Sequence, residues 1–219
     1  MKKVAILAQK GGAGKTTVSI HLAVLAMQRD IASCIIDCDP QQSATGWYEE
    51  RSDSDPPVVD GCQPEGRRLD QTGTLARMLR VAENDEYDMA IIDTAPHAAG
   101  AIGEAARAAD FCIVPCRPAI LDLKAIGKTI EILAAAKTPY AVLLNSCPPK
   151  RGVGENSMVK ESRDLLTNQG IPLFNTAVAR RAAFSHALID GRAVTKFAPD
   201  SPAAEEIGGV LDELLEFMK

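Results

Sequence analysis

Short apolar runs alternate along the chain with longer segments in which apolar residues recur at helical spacing. The short runs have the length of buried strands, and the longer segments have the length of helices. Strands are predicted at residues 4–8, 33–37, 89–93, 111–115, 140–145 and 172–177. Helices are predicted at residues 16–28, 69–81, 121–136, 157–168 and 182–190, and in a C-terminal amphipathic segment at 207–218.

The alternation of strands and helices predicts an α/β fold with a mostly parallel sheet flanked by helices. Residues 52–66, rich in Asp, Ser, Pro and Gly, are predicted to form an exposed connection, and residues 148–154 a loop. A length of 219 residues suits one domain, which we place at residues 1–219. Ligands of such sheets bind at the carboxyl ends of the strands, where the polar residues should therefore be sought.

Composition narrows the class of protein. Hydrophobic residues make up 46% and aromatic residues 4% of the chain, which suits a sheet core of Ala, Val, Ile and Leu. The six cysteines form no C-x-x-C pair, so a zinc or iron–sulfur site has little support. We find no signal-peptide pattern and no apolar stretch long enough to cross a bilayer, and we expect a protein of the reducing cytoplasm.

A glycine-rich segment between the first strand and the first helix carries the clearest chemistry. It reads Lys10-Gly11-Gly12-Ala13-Gly14-Lys15-Thr16-Thr17. The glycines allow backbone N–H groups to approach phosphate oxygens, and the following helix adds its positive end. Lys15 suits the β and γ phosphates of ATP, and the Thr16 hydroxyl suits Mg²⁺. The segment therefore predicts a site for ATP and Mg²⁺.

Acidic residues end the next two apolar strands. Asp37 and Asp39 flank a cysteine in Asp37-Cys38-Asp39-Pro40-Gln41, and Asp93 ends Met89-Ala90-Ile91-Ile92-Asp93. Taken alone, an acidic strand end followed by proline could simply form a turn. Beside a phosphate loop, these carboxylates become candidates for the metal shell and for positioning water.

These segments resemble the deviant-Walker ATPases of the ParA/MinD family. The usual phosphate loop has Gly where this chain has Gln9, whereas the family signature K-G-G-x-G-K-[ST] fits residues 10–16. The family's D-x-D-P-Q motif fits residues 37–41, and Thr94-Ala95-Pro96-His97 resembles its second switch, with Ala95 where Pro is common. His97 is interpreted as a solvated loop residue rather than a catalytic base.

The resemblance assigns roles to these residues. Lys10 would reach the nucleotide of a second subunit in an ATP-dependent homodimer and neutralise charge on the transferred phosphoryl group. Asp39 would orient the attacking water, Asp37 would support the magnesium shell, and Asp93 would hold Mg²⁺ through water. Asn145, at the end of a predicted strand, would recognise the adenine edge, although Asn also favours turns.

Within the family, the C-terminal helix argues against membrane attachment. It carries five acidic residues against Lys219 alone, and anionic lipid would repel it. The loop begins at residue 10, which leaves no room for an N-terminal helix-turn-helix domain. A small ParA-like partition ATPase remains, which would bind DNA without sequence preference, respond to a ParB-like partner and associate with the nucleoid. Positioning another cargo, an ATP-dependent metabolic reaction, or regulation through protein contacts alone are the alternatives.

A basic region supplies the candidate DNA-binding residues. The net charge of the chain is −5, but residues 150–197 hold eight Lys and Arg against four Asp and Glu. DNA binding without sequence preference depends on such cations contacting phosphates. The candidates are Lys150, Arg151, Arg180, Arg181, Arg192 and Lys196.

Overall fold

Six parallel strands form the centre of the molecule in the computed structural model, which describes residues 1–51, 56–60, 74–96, 99–149 and 154–219. The strands are β1 (Lys2–Ile6), β2 (Ser33–Cys38), β3 (Val58–Asp60), β4 (Met89–Thr94), β5 (Phe111–Cys116) and β6 (Tyr140–Leu144). They are ordered β3-β2-β4-β1-β5-β6, and every neighbouring pair is parallel. The predicted α/β fold is confirmed.

Helices cover both faces of this sheet. Those in the described residues are α1 (Lys15–Gln28), α2 (Ser43–Glu49), α3 (Thr74–Asn84), α4 (Ala99–Ala108), α5 (Ile120–Ala125), α6 (Gly127–Ala136), α7 (Ser157–Asn168), α8 (Ala182–Ile189), α9 (Val194–Phe197) and α10 (Pro202–Phe217). Val4 and Ile6 of β1 pack in the layer of α1, α8 and α10. Ala5 belongs to the opposite layer with α3, α4, α6 and α7, because successive strand residues point to opposite faces.

The sequence pattern missed several short elements. Strand β3 lies inside the predicted exposed connection, most of which falls outside the described residues. Helix α4 was missed because its alanines and glycines give little apolar contrast, and α2 and α9 are too short for a helical period to show. The single helix predicted at residues 121–136 is divided at Ile126, next to Gly127, a poor helix former.

The strand predicted at residues 172–177 is wrong, although this segment does run beside β6. Its Phe174 N–H donates to a β6 carbonyl at 3.0 Å. The next two N–H groups, of Asn175 and Thr176, instead donate to the Glu213 carboxylate of α10 at 2.6 and 2.7 Å. Two consecutive amides thus turn away from the sheet, and the regular strand is interrupted by a side chain distant in sequence.

Candidate functional site

The phosphate loop lies where β1 passes into α1. Gly14, with φ +89°, precedes α1 and, being a glycine, has no side chain that could cap the first turn of that helix. The first turn also contains no acidic residue. Its backbone N–H groups therefore remain available, and with the positive end of the helix dipole they form an anion site.

The glycines of the loop are required by close contacts as well as by backbone angles. A Cβ atom on Gly14 would lie 2.4 Å from the Asn145 side-chain nitrogen. On Gly12, with φ +72°, it would lie 2.9 Å from the Arg117 guanidinium. Any larger residue at these two positions would push the neighbouring side chain away from the loop.

Lys15 is a buried cation at the start of α1. Its residue is 7% exposed, and burial lowers the pKa of its ammonium, while Asp93 and Asp39 act in the opposite direction. Among the described residues it has no ion pair within 4 Å. A buried ammonium without a close counter-ion is costly, so this position suits a bound anion such as a phosphate.

Asp93 lies at the end of β4, fully buried opposite Lys15. Burial raises the pKa of its carboxyl to about 7, and the side chains of Thr16 and Lys15 oppose this shift. Its Oδ1 accepts a hydrogen bond from Ser19 Oγ at 3.3 Å. Its Oδ2 is buried and has no hydrogen-bond partner among the described residues. An orphaned carboxylate oxygen near a threonine hydroxyl fits the requirements of Mg²⁺ or a water bound to it.

Asp37 lies beside Asp93 in the register of β2 and β4, but its carboxylate is occupied by its own chain. One oxygen accepts from Asp39 N, and the other accepts from the backbone N and hydroxyl of Thr45, all at 3.0 Å. These bonds fix the loop that leads into α2. They favour a positioning role for Asp37, and its predicted part in the metal shell stays a prediction.

Asp39 follows β2 and is only partly buried. Its Oδ1 accepts a hydrogen bond from Gln41 N at 3.0 Å, which closes a short turn. Asp39 is near enough to Lys15 and Asp93 to influence the pKa of both. The structure therefore brings the predicted residues of the three strand-end motifs to one place.

Asn145 closes the other side of the loop. Its Nδ2 donates to Ala13 O at 2.7 Å, and its backbone N donates to Cys116 O at 2.8 Å. It also lines a cavity of about 160 Å³ beside the loop. The other lining residues are Gly14, Thr17, Val18, Ser146, Val178, Ala179, Arg180, Arg181, Phe184, Ser185 and Ile207.

Lys10 lies on the outer side of the loop. Its ammonium forms a 2.8 Å ion pair with Asp122 of α5. Close by, Arg117 donates a hydrogen bond to the Gly12 carbonyl. Neither Asp122 nor Arg117 was predicted as a site residue. The position of Arg117 immediately after β5 could have indicated a site residue, because ligands of parallel sheets bind at the carboxyl ends of the strands.

The basic residues predicted to bind DNA have different surroundings. Arg181 pairs with Glu206 at 2.6 Å and, with the exposed Arg180, lines the cavity beside the loop. Arg192 pairs with Asp190 and lies over the Phe197 ring, and Lys196 is exposed on α9. Lys150, Arg151 and also His97 lie outside the described residues.

Two features are absent from the residues that the structure describes. No group of three or more His, Cys, Asp or Glu side chains is placed to hold a metal ion. A magnesium ion here would thus depend on Thr16, Asp93, water and phosphate oxygens, as Mg²⁺ in phosphate sites usually does. None of the helices is long and apolar enough to span a bilayer.

Comparison with known proteins identifies the family of this chain. A family model for the CobQ/CobB/MinD/ParA nucleotide binding domain matches residues 4–194. Maintenance of carboxysome distribution protein A from Halothiobacillus neapolitanus is 28% identical over 222 residues, covering 97% of this chain and 95% of that protein. Chromosome-partitioning ATPase Soj from Thermus thermophilus is 26% identical over 247 residues, covering 98% and 96%.

A solved structure shows the same fold at lower sequence identity. The septum site-determining protein MinD complexed with Mg-ADP, from Pyrococcus horikoshii, has a TM-score of 0.77 and 16% identity, covering 97% of this chain and 95% of that chain. The matched family model spans the phosphate loop, both acidic strand ends and Asn145. The chain therefore belongs to the CobQ/CobB/MinD/ParA family of nucleotide-binding domains, and its predicted relation to the ParA/MinD ATPases is confirmed.

Proposed function

We propose that this protein is a Mg²⁺-dependent ATPase of the ParA type, in which ATP controls dimerisation and DNA binding. The observation that carries the ATPase proposal is a pair of charged residues at the loop: Lys15, which is 7% exposed, and Asp93, whose buried Oδ2 has no hydrogen-bond partner among the described residues. One requires an anion and the other a cation or a donor. A magnesium nucleotide supplies both in adjacent positions.

Different residues of this chain would bind the phosphates, hold Mg²⁺ and orient the attacking water. The loop amides and Lys15 bind the phosphates, while Thr16 and Asp93 are placed to hold Mg²⁺, which supplies charge neutralisation on the phosphate oxygens when bound. Asp39, more exposed than Asp93, is placed to orient the attacking water. Asp37 keeps the Asp39 backbone in position through its 3.0 Å hydrogen bond.

The nucleoside would lie in the cavity beside the loop, which Asn145 lines. Asn145 uses Nδ2 to hold the Ala13 carbonyl, which leaves Oδ1 as an acceptor. The exocyclic amine of adenine is a suitable donor for that oxygen. We therefore propose that Asn145 both shapes the loop and recognises the base, and that Arg180 and Arg181 lie close to the bound nucleotide.

A DNA-binding state would use cations that two subunits contribute together. The side chain of Arg180 is exposed and forms no ion pair with the described residues, and Lys196 is exposed on α9. A chain of net charge −5 gains little from one or two phosphate contacts, but a dimer doubles their number. ATP would thereby raise DNA affinity through dimerisation, without altering any single side chain.

The test is retention of duplexes of unrelated sequence without nucleotide, with ADP, and with a non-hydrolysable ATP analogue. We expect retention with the analogue alone, decreasing steeply as salt rises. Arg180→Ala should weaken retention, whereas the matched change at exposed Arg77 of α3, in the opposite layer, should not. Equal retention under all three nucleotide conditions would contradict the proposal and favour a protein-binding regulator or a metabolic enzyme.

Two kinds of cargo fit this function. Plasmid or chromosome segregation with a ParB-like partner is supported by the likeness to a chromosome-partitioning ATPase. Positioning of a protein assembly is supported by the likeness to a carboxysome distribution protein. Deleting the gene discriminates between them: loss of a replicon over generations indicates the first, and displaced protein assemblies with stable replicons indicate the second.

A further inference from the structure

The turn formed by residues 117–122, which follows β5 and includes the first residues of α5, holds the phosphate loop at two points. Arg117 donates to the Gly12 carbonyl at one end of the turn. Asp122 pairs with Lys10 at the other end, with 2.8 Å between Oδ1 and Nζ. The outer half of the loop is thus attached to one short segment of its own subunit.

The two members of the ion pair differ in burial. The Lys10 side chain is 42% exposed, whereas that of Asp122 is 11% exposed. Asp122 is therefore the more dependent partner, because a nearly buried carboxylate without its cation is poorly solvated. While this pair is intact, the Lys10 ammonium is directed to its own α5 and is unavailable to another subunit.

The same turn carries two exposed apolar side chains. Ile120 is 59% exposed and Leu121 is 71% exposed, and they immediately precede Asp122. Removing large aliphatic side chains from water in contact with a partner lowers the free energy. Their neighbour Asp122 holds Lys10, the residue expected to enter a second subunit, so a second copy of this chain is the partner that their position favours.

We propose that Asp122 is an intramolecular lock on Lys10, and that a second copy of this chain, seated on Ile120 and Leu121, opens it. This inference rests on the proposed ATP-dependent dimer. Docking against the turn displaces Asp122, which holds Lys10. Contact between the subunits therefore releases the lysine. Arg117 keeps the Gly12 end of the loop attached while the Lys10 end changes partner.

The lock lowers the apparent affinity of the dimer, because the locked fraction of subunits must open before Lys10 can cross. Asp122→Asn keeps the size of the side chain and removes its charge. With a non-hydrolysable ATP analogue, this variant should dimerise with a dissociation constant about two to five times lower than that of the wild type, the range expected for a partly exposed ion pair. Analytical ultracentrifugation over a protein concentration series measures it.

A second measurement reports on the lock in the nucleotide-free protein. Acetylation by an N-hydroxysuccinimide ester, followed by peptide mass spectrometry, gives the reaction rate of each lysine. Lys10 should react faster in Asp122→Asn than in the wild type, whereas exposed Lys128 of α6 should react equally in both. Asp164→Asn, an exposed acid-to-amide change on α7, should alter neither the Lys10 rate nor dimerisation.

Docking on the turn is tested by Leu121→Ser. This variant should weaken the dimer while leaving binding of a fluorescent ATP analogue to the monomer unchanged. An unchanged dimer constant in Leu121→Ser would overturn the docking surface.

The outcomes separate this inference from the proposed function. An unchanged Lys10 rate in Asp122→Asn, or a faster rate with an unchanged or weaker dimer, overturns the lock. A wild-type protein that stays monomeric with the ATP analogue refutes the ATP-dependent dimer instead, and the Lys10 rate then still decides whether the ion pair forms.

Discussion

The two buried aspartates at the carboxyl ends of β2 and β4 lie side by side but differ in their hydrogen bonding. Asp37 and Asp93 are neighbours in register and both are buried, and burial raises the pKa of both carboxyls. Asp37 is compensated by three hydrogen bonds, whereas one oxygen of Asp93 has none among the described residues. Asp37 therefore stabilises a loop, whereas Asp93 has an oxygen available for a ligand.

Another buried polar residue, His21 of α1, connects the phosphate-loop helix to α9. Its Nδ1 accepts from Val194 N at 3.1 Å, and its ring lies 5.1 Å from that of Phe184. Burial lowers the pKa of His21 from 6.5 to about 3. The imidazole therefore stays neutral in the folded protein at pH values where it is protonated in the unfolded chain.

This shift predicts a pH dependence of stability. The unfolded chain binds more protons than the folded one between the two pKa values, so His21 stabilises the fold above pH 6.5 and this contribution is lost as pH falls toward 3. From about pH 6.5 to pH 5 the wild type should lose on the order of 2 kcal/mol through this residue. Urea unfolding measures the loss, which should be smaller in His21→Asn. His186→Asn, at an exposed histidine, is the control. An equal pH dependence of stability in His21→Asn and in the wild type would contradict this account.

At the scale of elements, the apolar pattern predicted the buried strands well, because each is apolar along nearly its whole length. It failed at residues 172–177, where the chain follows β6 only in part. Here α10 completes the edge of the sheet with side chains: Glu213 accepts from two amides, and Glu206 accepts from Ala179 N at 3.1 Å. Two acidic residues of the last helix, whose charge in the sequence served only as evidence against membrane attachment, thus have structural roles.

The role of Glu213 predicts a loss of stability on substitution. Glu213→Gln keeps the size of the side chain but replaces one of the two accepting oxygens with an NH2 group, which cannot accept from an amide. The remaining hydrogen bond loses the help of the charge, and the change should cost about 1–2 kcal/mol. The midpoint and slope of urea unfolding give the change in unfolding free energy. Glu216→Gln, one turn away and exposed, should change it by less than about 0.5 kcal/mol. Equal effects of the two substitutions would show that the edge does not depend on Glu213.

At the scale of the whole molecule, the site is proposed to be complete only in a dimer. If Lys10 acts across the interface and Asp39 within its own subunit, a mixed dimer of Lys10→Ala and Asp39→Ala subunits retains one intact site. Each variant alone should be nearly inactive, and an equal mixture should recover about a quarter of the wild-type ATPase rate, because half of the randomly formed dimers are mixed and each has one working site.

The measurement is phosphate release by the mixture at a protein concentration that supports dimers. Mixing the wild type with the double variant Lys10→Ala/Asp39→Ala provides the control. If Lys10 acts across the interface, mixed dimers have no working site, and about a quarter of the wild-type rate should remain from the wild-type dimers. No recovery in the first mixture together with about half of the wild-type rate in the second would place the action of Lys10 within its own subunit.

The α/β fold, the phosphate loop and the acidic strand ends could be predicted from the amino-acid sequence, because these depend on local patterns: apolar runs, glycine spacing and residues that end strands. The partners of these residues could not be predicted and are known from the three-dimensional structure. Lys10 pairs with Asp122, Gly12 with Arg117 and Ala13 with Asn145, each more than a hundred residues away. No local pattern encodes such contacts, because they arise only when the sheet brings the ends of β1, β5 and β6 together.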